Sequence, residues 1–382
     1  MSDLILPSLE IQNFRAFGKL TVPTLSRINL ITGKNNVGKT SLIEALWLYA
    51  SGGSASSIRK ILADRDELGE DHLVRRAGSR PSDTDLGDEH RLDVLRSLFN
   101  AWPRSFDKAE NVYIGPRNHS AGMSLGVGWY AYFEDSDPEA TEQLQLEPVM
   151  QADRAKHDDA RPWITVRHGK SSFRYRAIRV FDRTTFESAG NGKVIPHQYV
   201  GSDGLSEYDV SSLWDEIQLT DLEHDVIEAL QMIAPSVERV SVRRSGGSQA
   251  RLVPIVKMRG TDEIRPLRSL GDGMSRVFNM SLAIANASGG ILLVDEIENG
   301  LHYSVMAAIW RSLFQAAMKL NVQVFATTHS WDCITAFQQV SAEHAGQDGA
   351  LIRLDDESGG ISATGFDERK LAIAAKESIE VR

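Results

Sequence analysis

An α/β fold built on a mixed, mainly parallel sheet is what this sequence predicts, and three stretches predict it. The first is the apolar run Ile28, Leu30, Ile31, which feeds Gly33-Lys34-Asn35-Asn36-Val37-Gly38-Lys39-Thr40 and is followed by a helical pattern at Leu42, Ala45, Leu46 and Leu48. This order is strand, phosphate loop, helix: glycines turn backbone N–H groups toward a triphosphate at a helix N-terminus. The second is Ile291-Leu292-Leu293-Val294, four aliphatic residues that end in Asp295-Glu296. The third is Val322-Gln323-Val324-Phe325-Ala326, which ends in Thr327-Thr328-His329. Continuous apolar runs of this length suit strands covered on both faces, as in parallel sheets, whose carboxyl ends are where ligands bind.

In chain order, residues 9–17 alternate toward Phe14 and Phe17 and predict a strand, and residues 20–25 lead into the phosphate-loop strand. A Gly/Ser-rich break at 51–57 opens a polar region that reaches Asp107 and holds a helical stretch at 92–102. Between 111 and 181 the period becomes two, predicting antiparallel strands at 129–133, 163–166 and 173–180. The acid-rich residues 134–159 between them have no metal-ligand spacing and read as a linker-like loop. Residues 205–233 predict helix, and 237–242 with 252–258 predict a hairpin with Arg243 and Arg244 at its tip. A helix over 277–287 leads into the acidic strand. After His329 a helix, a hairpin (351–354 with 361–366) and a last helix are expected, with Asp355-Asp356-Glu357 as the solvated hairpin tip. Residues 1–50 and 261–382 are therefore expected to form the core, with 51–260 as an inserted α+β region.

Composition bounds the function. The 382 residues carry a net charge of −10 and are 42% hydrophobic and 25% charged, the profile of a globular protein of two or three domains. Cys333 is the single cysteine, which excludes an intrachain disulfide. No apolar run reaches the roughly 20 residues of a membrane span, and the N-terminus lacks the order of a signal peptide, so a cytoplasmic protein that does not contact membrane is expected. The acidic total confines any DNA contact to a local basic face, for which Arg174, Arg176, Arg179, Arg239, Arg243, Arg244 and Arg251 are the candidates.

The chemistry follows from the motifs. Lys39 would lie along the β- and γ-phosphates, Thr40 and Asp295 would hold Mg²⁺, and Glu296 would orient and activate the attacking water. Ser269-Leu270-Gly271-Asp272-Gly273, ahead of a helix, is a second anion-binding arrangement or a plain helix cap.

In this order, phosphate loop, Ser-x-Gly-x-Gly signature, acidic strand and strand-terminal His resemble the ABC-type ATPase heads of the SMC, RecF and OLD group. They resemble most closely the stand-alone AAA-family ATP-binding proteins of bacterial defence loci. The resemblance covers residues 9–48 and 265–337, including Glu296 to His302, which is similar to the group's E-x-x-x-G-L-H variant. It implies a P-loop NTPase fold of ABC type that binds ATP and Mg²⁺, with Gly33, Asn35, Asn36, Gly38, Lys39, Thr40 and Ser41 around the phosphates. It implies that Ser269, Gly271 and Gly273 complete the site of a second subunit, so that a homodimer encloses two ATP. It implies a γ-phosphate contact from His329 and a phosphate contact from Arg15, in the opening Asn13-Phe14-Arg15. Gln198 is the candidate for the group's Q-loop.

Two departures narrow the expectation. SMC heads split their lobes with long coiled coils, and OLD proteins continue into a Toprim nuclease domain. Neither pattern occurs here, so the resemblance implies a slow, regulatory ATPase that controls a separately encoded effector, a Toprim-type or other nuclease, in antiphage defence. The alternative is a RecF-like repair ATPase that binds DNA itself.

Overall fold

The computed structural model describes residues 4–68, 87–107, 110–119, 121–133, 145–182, 194–245, 251–344, 348–357 and 359–366. The expectations for 134–144, for residues 246 and 247 of the hairpin tip and for the last helix lie outside them; Arg243 and Arg244, expected at that tip, are instead paired in strand with Val253 and Leu252. The chain divides into two compact units, one of Met1–Pro7, Val22–Ile43 and Ile195–Arg382, the other of Ser8–Thr21 and Glu44–Val194. The expected insertion of 51–260 thus runs through both: its residues from 195 onward pack with the phosphate-loop unit.

The phosphate-loop unit holds a six-stranded sheet. Its central strands are β3 (Ile28–Gly33), β14 (Gln323–Thr327) and β13 (Ile291–Val294), every residue of which is buried. β9 (His197–Val200) lies outside β13, β15 (Gly349–Glu357) lies on the other side of β3, and β16 (Gly360–Phe366) closes the edge. All pairs from β15 to β9 are parallel, and β15 with β16 is the expected antiparallel hairpin, though longer: Asp355, Asp356 and Glu357, expected at its tip, pair within it with Ser362, Ile361 and Gly360. Register places Ile28 beside Val324 and Leu292, and Leu30 beside Ala326 and Val294, so these six share one face.

That face packs on helices α5 (Glu207–Ile217), α6 (Asp221–Gln231), α7 (Asp272–Asn286), α8 (Met306–Lys319) and α9 (Trp331–Glu343), through Trp214, Phe278, Trp310, Phe314 and Phe337. Each fully buried aliphatic contributes about 1.5–3 kcal/mol, which is why the runs legible in the sequence became the middle of the sheet. A smaller sheet of β10 (Val237–Ser245), β11 (Arg251–Met258) and β12 (Ile264–Pro266) completes this unit.

Residues 205–233 form two helices rather than one. Leu219 between them takes φ +66° and is 94% exposed, and the Thr220 hydroxyl caps α6 by accepting from Leu222 N–H.

In the other unit a seven-stranded sheet runs in the order β2 (Phe17–Val22), β1 (Leu9–Phe14), β4 (Val112–Gly115), β5 (Met123–Phe133), β7 (Arg161–His168), β8 (Ser171–Arg176), with β6 (Gln145–Val149) also pairing β5. The strand expected over 173–180 stops at Arg176. The Ala177 N–H still bonds the Pro162 carbonyl, but Ala177 takes helical φ −56° and ψ −30°, and one helical turn, α4 (Ile178–Phe181), follows. The helix expected at 92–102 begins earlier, as α3 (Gly87–Leu95), and passes through a 3-10 turn (Arg96–Leu98) into extended Phe99. α2 (Ala55–Ala63) starts inside the Gly/Ser-rich break, capped by the Ser54 hydroxyl. No helix among the described residues is long and apolar enough to cross a membrane.

Candidate active site

The site grows from the carboxyl ends of three adjacent strands. β3 ends at Gly33, and the loop reaches α1 (Lys39–Ala50) through positive φ at Gly33, Asn36 and Gly38. A side chain at Gly33 would set its Cβ 2.5 Å from the Leu354 carbonyl oxygen and 2.8 Å from Val37 Cγ1, so the loop can close here only on glycine. Asn35 and Asn36 are exposed, and Ser41 is buried in the first turn of the helix. Lys39 is 6% exposed, and its ammonium donates to the carbonyls of Gly33 at 2.7 Å and Lys34 at 2.8 Å. Burial lowers the Lys39 pKa, and the negative charges of Asp295, Glu296 and Glu298 oppose that shift.

β13 ends at Asp295, which is 7% exposed. Its Oδ2 accepts from the Thr40 hydroxyl at 3.1 Å, and its Oδ1 accepts from the Thr327 hydroxyl at 2.5 Å. Thr40 and Asp295, 255 residues apart in the chain, thus present hard oxygens to one point. This donor set fits Mg²⁺, which takes one or two protein oxygens and leaves its other positions to phosphate and water.

Glu296 follows with φ +48°, and its N–H donates to the Thr327 hydroxyl at 2.8 Å. His329, two residues beyond β14, brings Nε2 to 4.0 Å from Glu296 Oε1. The His329 N–H donates to Glu298 Oε1 at 2.7 Å, fixing the chain where the imidazole departs.

Other predicted residues lie elsewhere. Ser269 sits exposed in a 3-10 turn (Leu267–Leu270) with its hydroxyl on the Pro266 carbonyl at 2.7 Å. Gly271 follows at φ +108° with no atom within 4 Å of where a Cβ would be, and a Cβ on Gly273 would stand 3.2 Å from the Gly300 carbonyl oxygen. The signature turn therefore packs beside the turn that follows Glu296.

Gln198 is not in a loop. It pairs in register with Leu292 inside β9, two residues before core residue Val200, on the face the helices cover. Arg15 is engaged within its own unit: its side chain is 5% exposed, paired with Glu44 at 2.9 Å and Glu67 at 2.8 Å. Of the arginines proposed for a basic face, Arg239, Arg243, Arg244 and Arg251 are exposed on β10 and β11, while Arg174 lies over the Tyr130 ring.

Two residues at the centre of the site lie in motif stretches but were given no role by the sequence. Thr327 hydrogen-bonds both Asp295 and Glu296, and Arg276 donates to the carbonyls of the same two residues. For Arg276 the available signal was its place at the end of the stretch Ser269 to Arg276, just ahead of the apolar helix that begins at Val277.

Residues 28–332 match the family described as "AAA domain, putative AbiEii toxin, Type IV TA system". The chain belongs to this AAA-domain family. Family membership and the motif order make it an ABC-type ATPase of the SMC/RecF group. This AAA-family chain is 24% identical over 357 residues to an ATP/GTP phosphatase of Helicobacter pylori, covering 89% of each chain. It is 34% identical to the DNA replication and repair protein RecF of Rickettsia massiliae over 77 residues, 20% of this chain and 21% of that one. Among solved structures, an SMC head bound to the C-winged helix domain of ScpA aligns at 12% identity with a TM-score of 0.47, covering 96% of this chain and 99% of that one.

Proposed function

We infer that this AAA-family ATPase is a head that dimerises around two ATP, hydrolyses them slowly, and thereby controls a separately encoded effector, a nuclease, in antiphage defence. The observation that carries the reading is the convergence of Lys39, the Thr40–Asp295 pair and the Glu296–His329 pair at three neighbouring strand ends. A triphosphate entering the loop displaces the Lys39 ammonium from the Gly33 and Lys34 carbonyls onto phosphate oxygens. Thr40 and Asp295 would hold Mg²⁺, which when bound offsets charge on the β- and γ-phosphates. Glu296 orients the attacking water and accepts its proton, and His329 donates toward the γ-phosphate.

Dimerisation is supported by the exposed turn of Ser269 and Gly271, where no atom lies within 4 Å of where a Gly271 Cβ would be. The defence role is supported by the resemblance to stand-alone ATPases of defence loci and by the family's type IV toxin–antitoxin description.

The deciding experiment is the mass of Glu296→Gln by light scattering with and without ATP and Mg²⁺. Removing the base while keeping the shape stalls turnover, so ATP is expected to trap a dimer. A protein that stays monomeric with ATP bound would falsify the sandwich. The same measurement with duplex DNA present is expected to show no larger species at moderate salt; a DNA complex would replace effector control with DNA repair.

A further inference from the structure

Arg276 is a cation buried among carbonyls. It lies on α7, one turn in from the exposed Gly271–Gly273 end, and is 5% exposed. Nη1 donates to the Gly201 carbonyl at 2.5 Å and the Ser202 carbonyl at 3.4 Å, and Nη2 donates to the carbonyls of Asp295 at 2.6 Å and Glu296 at 2.9 Å. One planar fork therefore joins three segments: the head of the signature helix, the turn after β9 and the turn after β13. Asn299 adds a bond from its amide to the Ser202 carbonyl at 3.0 Å, tying the turn after β9 to the same loop.

Burial opposes the charge on Arg276, and Asp295, Glu298 and Glu296 sustain it. What the guanidinium holds is the backbone of Glu296, a residue at φ +48°, an uncommon conformation for a side chain other than glycine. Thr327 holds the N–H side and Arg276 the carbonyl side.

We propose that Arg276 is a positioning residue for hydrolysis: it carries the placement of the signature turn to the backbone that aims Glu296. The proposal rests on the dimeric ATPase reading above. In a dimer the signature turn meets the partner's nucleotide, so Arg276 makes occupancy of one site set the hydrolytic carboxylate of the other. Hydrolysis is then cooperative in ATP, and the cooperativity passes through this side chain. Lysine keeps the charge but lacks the planar fork that spans four carbonyls.

The test is Arg276→Lys in the full chain, comparing steady-state hydrolysis across ATP concentrations with the wild type. The expected result is a KM within about twofold and a kcat lower on the order of 10- to 100-fold, the usual cost of losing a group that orients a reacting one. A Hill coefficient above one in the wild type falls to one in the variant. An arginine that merely stabilises the fold lowers the melting temperature and leaves the Hill coefficient of the folded protein untouched, and that result overturns the proposal.

Should Arg276→Lys fail to fold by circular dichroism, Asn299→Ala decides, because that side chain is exposed and holds the same turn. A lower kcat at constant KM supports the proposal and wild-type kinetics overturn it. Inactive wild-type protein overturns the ATPase reading itself, whereas active wild type with unchanged variants overturns this proposal alone.

Discussion

Lys39 spends its charge on two carbonyls of the loop it leaves, and burial holds its pKa below that of a free lysine. Triphosphate binding draws on the charged form, which is fully present below the folded pKa and lost as pH rises through it. The lowered pKa therefore brings the loss to a lower pH than a solvent-exposed lysine would show. Titration of ATP affinity from pH 7 upward is expected to be flat at first and then to weaken ahead of the free-lysine range. An affinity that persists through that range would mean that Lys39 does not carry the phosphate charge.

Residues such as Lys39, Asp295 and Glu296 were legible because their chemistry demands particular types at particular spacings. Thr327 and Arg276 were not, because their partners are a carboxylate, an amide and carbonyls far away in the sequence, and hydrogen bonds to backbone leave no pairing rule to read. Arg15 was legible as a type but its partners were not: the sequence does not say that Glu44 and Glu67 pair with it.

Strands that are mainly apolar announced themselves, since β3, β13 and β14 need helices on both faces and can tolerate few polar residues. Gln323 is one exception, beside Asn29, Thr32 and Thr327: buried within β14, its amide bonds the carbonyls of Leu6 and Ser26 and accepts from Leu6 N–H. Element ends were harder. The break at Leu219 goes with the Thr220 cap of α6, and β8 stops at Arg176 because Ala177 turns to helical φ and ψ.

The junction of β3 with the phosphate loop allows a direct test of packing. Gly33→Ala sets a methyl group against the Leu354 carbonyl at positive φ, so the strand end and loop must shift. A loss of about 1–3 kcal/mol in denaturant unfolding is expected from the strain alone. ATP affinity should fall with it, because the amides no longer converge. Unchanged unfolding and unchanged affinity would show that the junction yields without cost.

For the molecule as a whole, ligand binding adds to stability by mass action. ATP at one hundred times its Kd is expected to add about 2.7 kcal/mol to the folded state. Calorimetry should record this as a rise in the melting temperature that Lys39→Ala abolishes. The same rise in Lys39→Ala would place the nucleotide outside the phosphate loop.

The fold class was readable at this scale, and the division of the chain was less so. Residues 195–260 look like more of an insertion in sequence, yet their helices supply Trp214, Val226 and Leu230 to the core beneath the nucleotide strands. Nothing in local periodicity marks which sheet a helix will cover.

The strand order of that sheet also sets a timetable. β3 pairs with β14 through Ile28 and Val324 and with β15 through Ile28 and Gly349, so both of its neighbours are encoded about 300 residues after it. At 5–20 residues per second, a ribosome needs roughly 15–60 s to supply them. For that interval a fully buried-type strand and its glycine-rich loop have no partner strands in this sheet to join. The nascent chain is then a client for chaperones, and the capacity to bind nucleotide arrives late in synthesis although its best-known motif is made first.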